Sequence, residues 1–357
     1  MKIAIDVSQI VYGTGVSVYT RELVTSLVRL HPENNYVLFG GTLRRRGEIV
    51  EFANRFKNAK SVITPISPTI VDIIWNRLHI LNIEKFVGKV DVFHSSDWAE
   101  PPARASKITT IHDLSFVHYP KFTDPKVLAT HKRRLYWVKK ESAAVIVPSE
   151  ATKKDAIKLG ISAKKIHVIP EALSSIYKKQ PKSEVDRVRK KYRITGRYAL
   201  AVGASPRKNI ARIINAFEKA KADTGLEKLA VVGRGPLSAP KKGVLFLGHV
   251  ETADLPVLYS GASIFIYTSL YEGFGLPILE AFKCETPVVT SNISSMPEVA
   301  GGAAILVNPE SIEEISDGIL EALNKKKDLV KKGKERVKKF SWEETAKKTM
   351  GVYEGLI

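Results

Sequence analysis

The chain has 357 residues, is 44% hydrophobic, and carries 56 Lys and Arg against 37 Asp and Glu, a net charge of +19. That length is too great for one comfortable core and fits two domains of about 150 to 200 residues. A single cysteine, Cys284, excludes an internal disulfide and a cysteine-based zinc site; it suits a reducing compartment and reads most simply as a small buried packing residue. No apolar run approaches the ~18 residues of a spanning helix. Asp6 interrupts the N-terminal apolar run where a signal peptide needs apolar residues, so a cytoplasmic protein is expected, with the inner membrane face open to it as a peripheral site.

Strand-like and helix-like segments alternate, the pattern of α/β sheets wrapped by helices. The first block opens with Ile3-Ala4-Ile5-Asp6-Val7, turns at Gly13-Thr14-Gly15, and enters an amphipathic stretch with Tyr19, Leu23, Leu27 and Leu30 on one face. Short apolar strands are predicted at Tyr36 to Phe39, Val90 to His94, Ile108 to His112, Ala144 to Val147 and Ile166 to Ile169, with Pro170 closing the block. Ser149 reads as a helix N-cap. Residues 173–197 are polar, basic and punctuated by Pro181, which places a hinge near 174–182. The second block restarts at Tyr198 to Val202 and continues through Leu229 to Val232, Val244 to Leu247, Ile264 to Tyr267, Pro287 to Thr290 and Ala304 to Val307. Ser341, with Glu344 three residues on, has the form of a capping box that starts a last helix. The expected organisation is therefore 1–174, 175–340 and a terminal helix over 341–357.

The positive charge is shared, +10 over residues 1–174 and +9 over 175–357. Local basic runs lie at Arg44 to Arg46, Lys132 to Arg134, Arg187 to Arg193 and Lys325 to Lys339. The last has only a thin apolar stripe of Leu329, Val330 and Val337 and reads as a solvated helix. The first two make an anionic membrane surface a candidate partner. Charge alone also suggests a polyanion-binding protein, yet no helix-turn-helix, zinc-finger or aromatic-rich binding motif accompanies it, so no specific nucleic acid is expected.

The most informative stretch is Glu272-Gly273-Phe274-Gly275-Leu276-Pro277-Ile278-Leu279-Glu280, two carboxylates with seven residues between them. It lies where a strand hands over to a helix, and Pro277 suits the first helical turn. Free N–H groups and the positive end of the helix dipole favour an anion or a hydroxyl-rich ligand there. The stretch closely resembles the Glu-x7-Glu signature of retaining family 4 glycosyltransferases of GT-B architecture, glycosyl transferases group 1. The match continues from Ala281 to Pro309, and the resemblance covers nearly the whole chain, with mannosyltransferase-like members the most similar. It implies two Rossmann-like, doubly wound domains facing across a cleft. The N-terminal one would bind the acceptor and the C-terminal one the nucleotide sugar, with the terminal helix crossing back to the first. Glu272 would contact the transferred sugar and Glu280 the ribose, with Gly273, Phe274, Gly275 and Leu276 in the donor-binding loop.

Further motifs follow strands of both blocks. Gly203-Ala204-Ser205-Pro206-Arg207-Lys208-Asn209 offers Arg207 for bidentate and Lys208 for point-charge contact with a diphosphate. It resembles the family's Pro-Arg-Lys-Asn segment, whose lysine contacts that group, although the loop between Gly203 and Pro206 is shorter than in many members. Gly13 and Gly15 resemble the family's glycine loop near the donor phosphate. Gly233-Arg234-Gly235-Pro236 reads as a nucleotide-proximal loop, and Gly248-His249-Val250 matches the region around the base, where contacts are often made by backbone. His112, at the end of its strand beside Asp113, resembles the family histidine set near the transferred sugar and the reacting phosphate.

The resemblance therefore implies Glu272, His112, Lys208 and Arg207 as the catalytic set and no cofactor. No Asp-x-Asp occurs in the sequence, so fixed cations are expected in place of a metal. The expected partners are a nucleotide-diphosphate sugar, GDP-mannose first and a UDP-hexose next, and a saccharide or lipid-linked saccharide acceptor. A nucleotide-sugar epimerase or a sugar phosphorylase would share the fold, but the Glu272 to Glu280 pattern does not support the first and no cofactor-lysine motif supports the second.

Overall fold

The computed structural model describes residues 1–234 and 241–357. They form two units, Met1–Ala172 with Ser341–Ile357, and Leu173–Phe340.

In the first unit seven strands make one parallel sheet: β1 (Lys2–Asp6), β2 (Asn35–Gly41), β3 (Ala59–Thr64), β4 (Val92–Ser95), β5 (Ser106–Thr110), β6 (Ala144–Val147) and β7 (Ile166–Val168). Their order is β3-β2-β1-β4-β5-β6-β7, and Ile3 of β1 stands opposite Tyr36 on one side and Val92 on the other. The buried strands carry apolar runs such as Ile3 to Ile5, Tyr36 to Phe39 and Ala144 to Val147, which is why these segments were readable. β3 is different: it is an edge strand paired only to β2, its side chains are mostly half-buried, and Lys60 and Ser61 break the apolar run. No sequence signal marked it.

The helix Gly15–Leu30 is started by a capping box, with Thr14 Oγ1 accepting from Ser17 N–H at 3.3 Å and Ser17 Oγ accepting from Thr14 N–H at 3.1 Å. Its apolar face, Tyr19, Leu23 and Leu27, packs in one core with Ile3 of β1 and with Ala346, Met350 and Tyr353 of the helix Trp342–Glu354. Ser341 caps that last helix through Glu344 N–H at 3.2 Å, and Ser149 caps the helix Glu150–Lys158 through Thr152 N–H at 3.1 Å.

The second unit holds six parallel strands, β8 (Tyr198–Val202), β9 (Lys228–Val232), β10 (Val244–Phe246), β11 (Ile264–Tyr267), β12 (Val288–Ser291) and β13 (Ile305–Val307). The order β10-β9-β8-β11-β12-β13 is that of a Rossmann sheet. Alternation along each strand divides the apolar residues between two cores. Tyr198, Leu200, Phe265 and Tyr267 join Ile278, Leu279 and Phe282 on one face. Ala199, Ala201, Ile264 and Ile266 join Ile213, Phe217, Ile315 and Ile319 on the other. Cys284 is buried in the first of these cores. The helix Lys326–Val337 buries only Leu329, Gly333 and Val337, so its lysines are solvated. Among the described residues, no helix is long and apolar enough to cross a membrane.

Candidate functional site

In each sheet the chain order reverses once, between β8 and β11 in the second unit and between β1 and β4 in the first. Loops at the carboxyl ends of strands diverge there and leave a crevice.

In the second unit the loop after β8 meets the loop after β11. Lys208 Nζ lies 2.6 Å from Glu272 Oε1 and 2.6 Å from the Tyr267 hydroxyl, and Arg207 Nη1 lies 3.0 Å from Glu272 Oε2. Two backbone devices hold these charges together. Arg207 O accepts from Leu270 N–H at 2.9 Å, and the buried Asn209 amide donates to Thr268 O at 3.0 Å and Pro309 O at 2.6 Å. Asn209 has φ 61°, the left-handed conformation that asparagine tolerates better than most residues. Gly203 permits a close approach: a Cβ there would lie 2.8 Å from Lys208 Cγ. Burial pushes the Glu272 carboxyl up, but the Lys208 and Arg207 charges outweigh it and hold the group below the usual carboxylate range.

From Glu272 the chain passes Gly273 and Phe274, whose ring packs edge-on against Phe340 at 5.7 Å. Ser295 Oγ lies within hydrogen-bonding distance of the Glu272 and Phe274 carbonyls, at 2.9 and 2.5 Å. Gly275 has φ 117° and is the N-cap of the helix Leu276–Lys283. One turn on, half-buried Glu280 accepts from the Tyr259 hydroxyl at 2.8 Å. Burial raises its carboxyl above the usual range, and hydrogen bonds from Tyr259 and Tyr177 offset this only in part.

The neighbouring loops close on the same end of the sheet. Gly233 and Gly248 exchange backbone hydrogen bonds of 2.9 and 3.2 Å, and a Cβ on Gly233 would lie 3.1 Å from Ala204 N. His249 follows Gly248 and is exposed. Gly235 and Pro236, named with this loop, lie outside the described residues.

His112, Gly13 and Gly15 belong to the first unit, apart from the Glu272 set in sequence and sheet. His112 Nδ1 is 2.8 Å from Glu171 Oε1, and its ring meets Tyr19 edge-on at 4.5 Å. Burial lowers the affinity of this imidazole for a proton, but the Glu171 hydrogen bond and charge, helped by Asp97 and opposed by Arg134, carry it above the ordinary histidine range. Nearby His94 is pushed down to about 3 by burial, with the charges of His112 and Arg134. It bridges Thr110 Oγ1 at 2.9 Å and the Tyr353 hydroxyl at 2.6 Å. The loops after β1 and β4 also enclose a cavity of about 410 Å³ lined by Asp6, Gln9, Tyr12, Trp75, Asp97 and Trp98, among others. Among the described residues no cluster of three or more His, Cys, Asp or Glu is placed to hold a metal ion.

Sequence reasoning missed Glu171, Tyr267 and Tyr259. The only signal for Glu171 was a carboxylate just beyond a strand end and Pro170. It also grouped Arg134 with surface charge, whereas Arg134 is 2% exposed and bonds Ser96 O, Thr109 Oγ1 and Asp97. Its neighbour Arg133 is paired with Asp72 at 2.6 Å, so this run leaves little charge free for an outside partner.

Two Rossmann-like sheets with these loop ends define the chain as a GT-B glycosyltransferase, and the comparisons agree. Residues 184–340 match the model for glycosyl transferases group 1, and residues 13–174 match that for glycosyltransferase family 4. The O-antigen chain mannosyltransferase B of Escherichia coli is 30% identical over 280 residues, 73% of this chain and 74% of that one. The O-antigen chain mannosyltransferase RfbU of Salmonella typhimurium is 32% identical over 239 residues, 61% and 64% of the two chains. The structure of sucrose-phosphate synthase from Thermosynechococcus elongatus aligns over 100% of this chain and 99% of its own, with a TM-score of 0.73 at 19% identity. The chain belongs to the family 4, group 1 glycosyltransferases.

Proposed function

We propose that this glycosyltransferase moves a hexose, with retention and without a metal, from a nucleotide-diphosphate sugar to a saccharide or lipid-linked saccharide acceptor. Mannose from GDP-mannose is the leading donor reading, supported by the two O-antigen mannosyltransferase relatives, and a UDP-hexose is the second. The observation that carries the reading is the Lys208, Arg207 and Glu272 cluster at the crossing of β8 and β11.

Departure of the diphosphate breaks the anomeric C–O bond, so negative charge grows on the leaving group and positive charge on the sugar ring. Lys208 and Arg207 answer the first as preset cations, at present neutralised by Glu272. An arriving diphosphate takes over their charge and frees the Glu272 carboxylate for sugar hydroxyls beside the N–H groups of Phe274 and Gly275. Glu280, steadied by Tyr259, accepts a ribose hydroxyl. The loops of Gly233 and His249 serve the nucleotide, and Gly13, Gly15 and His112 the donor phosphates and sugar. The acceptor hydroxyl attacks from the leaving-group face, its oxygen forms the new bond, and its proton passes to the departing phosphate oxygen.

The test is a thermal-shift panel of GDP, UDP, ADP and their sugar conjugates in EDTA, with duplex DNA as a polyanion control. A native-state ligand at 100 times its dissociation constant adds about 2.7 kcal/mol. A selective rise with GDP and GDP-mannose is expected, and Glu272→Gln should retain that rise while turnover falls by about a hundredfold or more. A response to DNA alone, or full turnover by the variant, overturns the reading.

A further inference from the structure

The last helix, Trp342–Glu354, has no part in the reaction as described, yet its docking face is more polar than anchorage needs. Ala346, Met350 and Tyr353 already fasten it to the core of the first unit. Three hydroxyls are buried with them, those of Thr345, Thr349 and Tyr353. A buried hydroxyl costs stability unless it finds a partner, so the direction each one takes is informative. Thr349 Oγ1 turns back to its own helix and donates to Thr345 O at 2.7 Å. The other two reach outward, and both lead to the neighbours of His112.

Thr345 Oγ1 donates to Pro170 O at 2.9 Å, with Ser341 O at the start of its own helix as the longer alternative at 3.1 Å. Pro170 precedes Glu171, whose carboxylate lies 2.8 Å from His112 Nδ1. The Tyr353 hydroxyl lies 2.6 Å from His94 Nδ1, His94 Nε2 lies 2.9 Å from Thr110 Oγ1, and Thr110 Oγ1 lies 3.4 Å from the Tyr19 hydroxyl. Tyr19 is the ring set edge-on against His112. Trp342 meets the same tyrosine, with ring centroids 5.6 Å apart and planes inclined at 64°. The indole Nε1 of Trp342 is buried with no hydrogen-bond partner among the described residues, so its hold on Tyr19 is one of ring contact.

The carboxylate on Nδ1 and the ring against His112 are thus both braced from one helix, by residues that share its inner face. A working imidazole needs its neighbours fixed by packing and by outer hydrogen bonds, because a charge-assisted pair weakens quickly when either group swings. Apolar docking alone would fasten the helix but would not fix Glu171 or the Tyr19 hydroxyl.

We propose that the helix Trp342–Glu354 positions His112: Thr345 holds the Pro170–Glu171 segment at Nδ1, and Trp342, with the chain of hydrogen bonds from Tyr353, holds Tyr19 against the ring. Thr345 and Trp342 are positioning residues that act through Glu171 and Tyr19. The proposal deepens the reading of His112 as a working group of the transfer, and its first readout needs no turnover. The two arms act with opposite sign. Glu171 favours the protonated ring by its hydrogen bond and charge, whereas burial, to which Tyr19 contributes, disfavours it. The other groups facing the ring, Asp97, Arg134 and His94, belong to neither arm's replacement below.

The test is a pH titration of the full chain by NMR with labelled histidines, the His112 signal being assigned with His112→Gln. Thr345→Val, nearly the same shape without the hydroxyl, should lower the His112 titration midpoint by about half a pH unit or more, a fraction of the roughly one to three units that a close opposite charge is worth. Glu171→Gln should lower it further, and Thr345→Ser should restore the wild-type value. Trp342→Leu should raise it, because water then reaches the ring beside Tyr19. Thr349→Val, the same replacement one helical turn on, should leave it where it was. The alkaline limb of the pH–rate profile should follow these shifts. An unmoved midpoint in Thr345→Val, no rescue by Thr345→Ser, an equal shift in Thr349→Val, or one common sign for Thr345→Val and Trp342→Leu would each overturn the proposal. Midpoints that shift as stated under an unmoved pH–rate profile would uphold the positioning and remove His112 from the transfer.

Discussion

Glu272 and His112 show two opposite uses of charge on buried groups. Glu272 is stabilised as an anion by two cations from a loop more than sixty residues away in sequence, whereas His112 is stabilised as a cation by Glu171. Both motifs were legible because they carry charged residues at strand ends, but neither pairing was, since partners so far apart in the chain leave no local signature. For His112 the sign can be worked out. Its proton affinity is raised, so its contribution to stability is complete below the unfolded value of about 6.5 and is lost as pH rises through the folded value. Glu171→Gln removes the carboxylate and leaves Asp97, Arg134 and His94 as the other groups facing the ring. The imidazolium then forms only at lower pH. If it is the working form, the alkaline limb of the pH–rate profile should move to lower pH in Glu171→Gln, with activity at the acid end close to wild type. A profile that keeps its shape and only drops in height would make Glu171 a packing residue.

Elements were read from the sequence with uneven success, for a physical reason. The inner strands β8, β9, β11 and β12 of the second unit are largely buried and advertise themselves as apolar runs, and the edges β10 and β13 keep that composition although they are partly exposed, whereas β3 at the edge of the first sheet, with Lys60 and Ser61, does not. Helix starts were legible where a side chain caps them, as at Ser149 and Ser341, and at Leu276–Lys283 through Pro277 in the first turn, although there a backbone conformation does the capping. Gly275 at φ 117° has ordinary space for a Cβ, the nearest atom being Ile278 Cδ1 at 3.4 Å, so the conformation alone penalises a side chain. Gly275→Ala should therefore cost about 1–2 kcal/mol, lowering the unfolding midpoint by a few degrees and weakening nucleotide binding because the loop from Glu272 must shift. Gly15 also opens a helix, but it has no positive φ and meets nothing within 4 Å. Gly15→Ala should leave the midpoint unchanged or slightly higher, and equal losses in the two variants would refute the conformational argument.

For the molecule as a whole, the question is what a charge of +19 does, given that both halves of the sequence share it. Much of it is already committed. Arg134 is buried against backbone and Asp97, Arg133 and Arg77 share Asp72, and Lys208 and Arg207 share Glu272. The cations that remain, such as those of the helix Lys326–Val337, are mostly solvated and screened. Free surface cations attract any polyanion by releasing its counterions, an effect that collapses with salt: six to ten phosphate contacts lose about 10³ to 10⁵ in affinity between roughly 50 and 200 mM. In the proposed function a nucleotide diphosphate held by Lys208, Arg207 and Glu280 would meet few charges and several hydrogen bonds, so its salt dependence should be shallow. Isothermal titration across that salt range should therefore separate the two. DNA binding, if seen at the lower salt, should vanish at the higher, while nucleotide affinity should fall by no more than about tenfold. If the nucleotide shows the steep slope as well, its binding comes from diffuse surface charge and not from the built cluster at the crossing of β8 and β11.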